Sequence, residues 1–196
     1  MQKLTISALL FVLLVSLVGC EQIYNPKPKG YPRIDLPTPE YQKLNLPAPY
    51  SFEHSVFSLA APDTTRLSEP FWIDLIYKQL GATVQITYKA IDKNPSKLNE
   101  LIEDSRMLIA KHQVKASGIE EQVVLTGDGQ KAYVFRLSGQ VPTQFQFYTT
   151  DSSHHFLRGA LYFNTATAND SLAPVIDFVS QDMVHLLKTL KWNTKP

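Results

Sequence analysis

Between Asp151 and Arg158 the sequence reads DSSHHFLR, with two hydroxyls, two imidazoles, an acid and a guanidinium within eight positions. Those residue types build hydrolytic triads and metal sites, so this segment is the chain's first candidate for chemistry. A Ser-His-Asp triad needs side chains that converge from separate parts of a fold. Asp151, Ser152, Ser153 and His154 are consecutive, and in extended chain neighbours alternate sides. No G-x-S-x-G elbow stands elsewhere in the chain. His154 and His155 would point to opposite faces of a strand, and the histidines at 54, 112, 154, 155 and 185 include no H-x-H or H-E-x-x-H spacing. The segment therefore reads as a polar turn leading into a strand, and no catalytic residue, metal ligand or cofactor is expected.

The other acids fare no better, since Glu103 and Asp104 are adjacent and cannot face each other across a cleft as a carboxylate pair must. The eight glycines are scattered and form no phosphate-cradling loop. Aromatics such as Trp72, Tyr148 and Trp192 offer a different chemistry, stacking on sugar rings, which keeps an envelope glycan-binding lipoprotein or hydrolase as the alternative function.

The opening MQKLTISALLFVLLVSLVGC has one cation, Lys3, and an apolar run from Ala8 to Val18 that is too short to span a bilayer, so residues 1–19 read as an export signal. Leu17-Val18-Gly19-Cys20 resembles a bacterial lipobox, which implies lipidation of Cys20 and a membrane anchor. Cys20 is the one cysteine, so no intramolecular disulfide can form. Loss of residues 1–19 removes Lys3 and no acid, leaving 18 cations against 18 anions, a balance that gives no support to nucleic-acid binding. No acidic run follows Cys20, which favours a periplasm-facing domain.

Seven of the 13 prolines lie between Asn25 and Tyr50, so residues 20–50 read as a lipidated cysteine and a semi-rigid tether, with a short edge strand plausible in YPRIDLP. Residues 51–196, with 44% hydrophobic and 11% aromatic content in the whole chain, suffice for one domain. In YSFEHSVFSLA, Phe52, His54, Val56 and Ser58 share one face of a strand. FWIDLIY and ATVQITYKAI form a hairpin turning at Gly81. Asn94 and Pro95 open an amphipathic helix over 96–113, which carries Leu98, Leu101, Ile102, Leu108, Ile109 and His112 at helical spacing. EQVVLTG, KAYVFRLSG, TQFQFYTTD and HFLRGALYFN then form a meander, and a second helix opens near Asp170 or Ser171 with Pro174 in its first turn. The expected fold class is α+β, an antiparallel β-sheet flanked by two main helices, an order of elements that resembles PsbP-like sandwich domains.

Five separated stretches together resemble the gliding motility lipoprotein GldD family of Bacteroidetes. They are the lipobox, NPKPKGYPRIDLP, LIEDSRMLIAKHQVKASGIEEQ, QFYTTDSSHHFLRGALYFN and DSLAPVIDFVSQDMVHLLKTLKW. The resemblance implies a membrane-anchored envelope lipoprotein required for gliding, linked to type IX secretion, with other envelope proteins of that machinery as partners and with no enzyme activity. Of the family's features only lipidation of Cys20 transfers to a numbered residue. The expected interaction surface is Arg106, His112 and Lys115 on the first helix with His155 and Arg158 on the meander.

Overall fold

The computed structural model describes residues 35–112, 114–164 and 169–193. The export signal 1–19, Cys20 and the tether up to Ile34 lie outside the described residues. Three short strands, β1 (Tyr41–Lys43), β2 (Tyr50–Ser51) and β3 (Glu53–Ser55), precede β4 (Leu59–Pro62), β5 (Ile73–Tyr77) and β6 (Ala82–Ala90). Helix α1 (Pro95–Ala110) leads to β7 (Ala116–Leu125), β8 (Lys131–Gly139), β9 (Phe145–Thr150) and β10 (His155–Phe163). Helix α2 (Asn169–Thr189) and β11 (Lys191–Trp192) close the chain. The central sheet has seven strands in the order β4-β5-β6-β10-β9-β8-β7, every neighbouring pair antiparallel. Thus α1 carries the chain from β6 to the far edge, and the meander returns until β10 lies against β6.

Local chemistry explains the corners. The Asn94 side chain accepts from the backbone N–H groups of Ser96 and Lys97 at 3.0 and 3.2 Å, and Pro95 occupies the first turn, where its missing donor costs nothing. Gly81 turns the β5–β6 hairpin at φ 60°, after a short 3-10 turn over Lys78–Leu80.

Strand alternation gives the sheet two apolar faces. On one, Val84, Ile86, Val134, Phe145, Phe147, Leu157 and Leu161 meet the α2 stripe of Val175, Val179, Met183, Leu186 and Leu187, together with Tyr50 and Phe52. Complete burial of one such leucine contributes about 2 kcal/mol. On the other, Phe135, Leu137, Tyr148 and Phe156 pack against Ile109, Leu98, Leu101 and Ile102 of α1. The fold is α+β, with an antiparallel sheet between two helices, as the order of elements implied.

Three boundaries differ from expectation. The proline-rich stretch does not stand clear of the domain as far as Tyr50: Leu36, Leu44, Leu46 and Ala48 pack on the core, and β1 pairs with β3 in the register Tyr41 to Ser55. The run 51–61 is not one strand, because a turn closes at Ser58 N–H to Ser55 O, 3.0 Å. Val56 is consequently 39% exposed while Phe52, His54 and Ser58 are buried. α1 ends at Ala110, so His112 falls in the following turn and accepts at its carbonyl from Lys115 and Ala116.

Candidate functional site

The DSSHH segment is a turn built around one carboxylate. Asp151 Oδ1 accepts from the backbone N–H groups of Ser153, His154 and His155 at 2.9, 2.8 and 2.9 Å. Ser152 takes φ 63°, and Thr150 Oγ1 accepts from its N–H at 2.9 Å. Burial alone would raise the Asp151 pKa, but the three N–H donors outweigh it and hold the carboxyl below its ordinary range. The four side chains are therefore not simply alternating, as extended chain would require, yet Oδ1 is taken up by backbone and Oδ2 lies 3.8 Å from His154 Nδ1, an acid–imidazole contact and not a triad.

This turn is zipped to the loop between β6 and α1, where Ile91 N–H donates to His154 O at 2.8 Å and Lys93 N–H to Ser153 O at 2.7 Å. Between them Asp92 sits at φ 56° and Lys93 at φ 58°, the left-handed region that side chains seldom adopt. Next to this corner lies a cleft of about 840 Å³, walled by Pro47, Ala48 and Pro49 on one side and by Phe71, Tyr88, Ala90, Asp92, His154, His155 and Asn193. Its surface is mainly apolar, in the size range of small-molecule and side-chain pockets.

Each wall is fixed. Asn193 Nδ2 donates to Ala48 O at 2.9 Å and Asn193 N–H to Pro49 O at 3.0 Å, so the C-terminal strap pins the proline segment. Phe71 has φ 68°, and its carbonyl accepts from Tyr50 Oη at 2.6 Å. Its ring meets Tyr88 edge-on at 5.8 Å. Trp72 Nε1 donates to Tyr88 O at 2.9 Å. Tyr88 Oη and His155 Nδ1 share a hydrogen bond of 2.8 Å, and the imidazole stacks on Trp192 at 5.0 Å and 15°. Burial lowers the His155 pKa, Asp151 opposes that, and His154 adds to it, so the ring is neutral at pH 7. Burial, then the charges of Asp151 and Asp92, raise the Tyr88 pKa, so the phenol keeps its proton. Tyrosine and histidine are thus engaged with each other, and what the cleft offers is shape, apolar area and one carboxylate.

The expected interaction residues do not form one surface. His155 and Arg158 are an odd number of positions apart on β10 and face opposite sides of the sheet. His155 lines the cleft. Arg158 Nη2 donates to Gln146 Oε1 at 2.8 Å on the α1 side, where its charge joins burial in lowering the His112 pKa. Arg106 pairs with Glu121 at 3.3 Å and lies 6.0 Å over the Phe135 ring, and Lys115 is exposed. Of the aromatics considered for sugar stacking, Tyr148 is 2% exposed and belongs to the core. The Trp72 ring lies under Lys89, which pairs with Glu69. Among the described residues no group of three His, Cys, Asp or Glu side chains is placed to hold a metal ion.

The family model for the gliding motility lipoprotein GldD matches residues 21–192, which covers the turn, both helices and every cleft residue except Asn193. The chain belongs to that family. This GldD-family chain is also similar to the solution structure of cyanobacterial PsbP (CyanoP) from Synechocystis sp. PCC 6803, at 12% identity and TM-score 0.41 over 86% of this chain and 99% of that one. No curated protein sequence matches it.

Sequence reasoning missed Phe71, Tyr88, Asp92, the Pro47–Pro49 wall and Asn193, since they come from separate segments and share no local pattern. The one available signal was Asp92-Lys93 standing directly before the Asn94 cap. The turn itself gives a direct prediction for this GldD-family member: Asp151→Ala, which orphans three N–H groups, should cost about 2 kcal/mol in urea unfolding at pH 7. Because the folded-state pKa is depressed, that contribution is present above the ordinary carboxylate range and is lost as pH falls through the folded value. A variant as stable as its parent at pH 7 would show that the turn is held by other means.

Proposed function

We propose that this chain is a non-catalytic accessory or assembly component of the gliding and type IX secretion machinery, lipid-anchored at Cys20 and facing the periplasm, whose cleft receives a segment of another envelope protein. The observation that carries this reading is the family match over residues 21–192, which ties nearly the whole chain to a gliding motility lipoprotein. The geometry supports binding over chemistry: the Tyr88 hydroxyl and the His155 ring are paired, Asp151 Oδ1 holds three backbone N–H groups, and the walls are apolar and braced. Partners on the α1 side would meet Arg106, His112, Lys115 and Arg158 instead, a second contact region of the same component.

Cys20→Ala is the variant that tests the anchor. Expressed in place of the parent chain, it should leave the membrane fraction in an alkaline wash, and cells should stop gliding on agar while the protein remains folded. Several acyl chains, each methylene adding about 0.8 kcal/mol, make the difference all-or-none in fractionation. Retention of the variant in washed membranes, or normal gliding by its cells, overturns the proposal.

A further inference from the structure

Resting on the reading of the cleft as a docking site, we propose what docks there: a short stretch of a partner protein in which a bulky apolar or aromatic side chain stands next to a lysine or arginine. The apolar group seats against Phe71, Tyr88 and Ala90, and the cation meets Asp92 at the edge.

Four observations converge on that chemistry. The cleft of about 840 Å³ has room for two or three side chains, and its lining is mainly apolar. Asp92 contributes the one carboxylate, no lysine or arginine lines the cleft, and among the described residues no cation pairs with Asp92. The rings of Phe71 and Tyr88, edge-on at 5.8 Å in the lining, add an aromatic neighbour, which also favours a cation. Finally, the two lining residues that flank this region, Phe71 at φ 68° and Asp92 at φ 56°, both hold left-handed backbone conformations, fixed by Tyr50 Oη and by the zipper to the DSSHH turn. For a phenylalanine that conformation is costly, and strain of this kind gathers where a binding surface must be preset.

Other occupants fit less well. A fatty acid or an anionic phospholipid headgroup would bring a negative charge to Asp92. A glycan needs many hydrogen-bonding groups, whereas Tyr88 and His155 use theirs on each other.

The test uses two blocked dipeptides, Ac-Phe-Arg-NH2 and Ac-Phe-Glu-NH2, titrated by saturation-transfer NMR against the full chain in phosphatidylethanolamine nanodiscs at pH 7 and low salt. The arginine probe should bind about fivefold more tightly than the glutamate probe. Asp92→Asn should bring the two within about twofold of each other. Phe71→Gly should abolish binding of both while the thermal unfolding transition is kept, because glycine accepts the positive φ even as it removes the wall. Equal affinity for the two probes, or a preference that survives Asp92→Asn, overturns the proposal. So does displacement of the arginine probe by laurate, which would assign the cleft to acyl chains. Binding seen only after deletion of Tyr24–Arg33 would also overturn it, by placing the chain's own basic, tyrosine-bearing stretch in the cleft. The docking role fails separately: probes that discriminate as expected while Phe71→Gly cells still glide leave the chemistry standing and remove the role.

Discussion

Gly159→Val is expected to cost about 3 kcal/mol and to lower the thermal midpoint by roughly 10 °C. Gly159 lies in β10, in the middle of the sheet, directly opposite Phe147 of β9. A Cβ built on Gly159 would stand 2.3 Å from Phe147 Cε1 and 2.5 Å from Cζ, well inside van der Waals contact. The ring therefore lies across the bare glycine backbone. It has no room to retreat, because Phe147 is 1% exposed and Phe145, Leu157 and Leu161 on the same face are fully buried. Glycine in a strand interior costs backbone entropy, and here the close approach of an aromatic ring repays it. Alanine alone already requires the ring to shift, and valine adds two methyls to the same collision. The assignment to this contact is checked by a cycle: Phe147→Leu should be destabilising alone, yet should recover more than half of the loss when combined with Gly159→Ala. Circular dichroism melts of the four proteins suffice, and a Gly159→Val midpoint within about 2 °C of the parent would remove the argument.

The same glycine sits in the segment whose residue types first suggested catalysis, and its two halves were legible to different degrees. From Phe156 onward the alternation was readable, since each side chain's face follows from the period of two. The start was not, because the three N–H groups gathered by Asp151 make a compact turn where an extended chain would separate its neighbours. Helix α1 was readable for a local reason, as Asn94 caps it with its own side chain. The region from Tyr41 to Pro62 was not, because its partners are distant: β2 pairs with β11 from the end of the chain, and His185 of α2 stacks on Tyr41 at 3.5 Å. Such pairings decide where a weak strand breaks, and no window of neighbouring residues contains them. β9 hid a further exception: Gln146 is 1% exposed because this strand is covered on both faces, and it accepts from Arg158. The cleft was the least legible feature. Its walls come from segments near positions 48, 71, 90, 154 and 193, and the positive φ angles that set two of them carry no glycine to announce them.

Removal of the α2 carboxylate separates two costs held at one residue. Asp182 is 2% exposed, accepts from Tyr77 Oη at 3.2 Å through Oδ2, and leaves Oδ1 without a hydrogen bond. The hydroxyls of Tyr41 and Ser55 and the ring of His185 also act on it, and His185 is in turn bonded to Glu53 at 2.8 Å. Burial raises its pKa, and those hydroxyls and the imidazole only partly offset the shift. A carboxyl whose folded-state pKa is raised contributes stability that is fully present below the unfolded value and is lost as pH rises through the folded value. Above that folded value the chain carries a poorly compensated buried charge. Asp182→Asn keeps an acceptor and discards that charge, so it should match or exceed the parent at pH 7 by up to about 1 kcal/mol, with the parent gaining on it as the pH is lowered towards 5. Asp182→Ala should instead cost about 3 kcal/mol at either pH, because it opens a void and leaves the buried Tyr77 hydroxyl of β5 without its acceptor. Urea titrations of the three proteins at pH 5 and pH 7 decide the point. If the difference between parent and Asp182→Asn is the same at both pH values, the carboxyl does not titrate in this range. Its role in joining the short N-terminal strands to α2 would then be that of a plain hydrogen-bond acceptor.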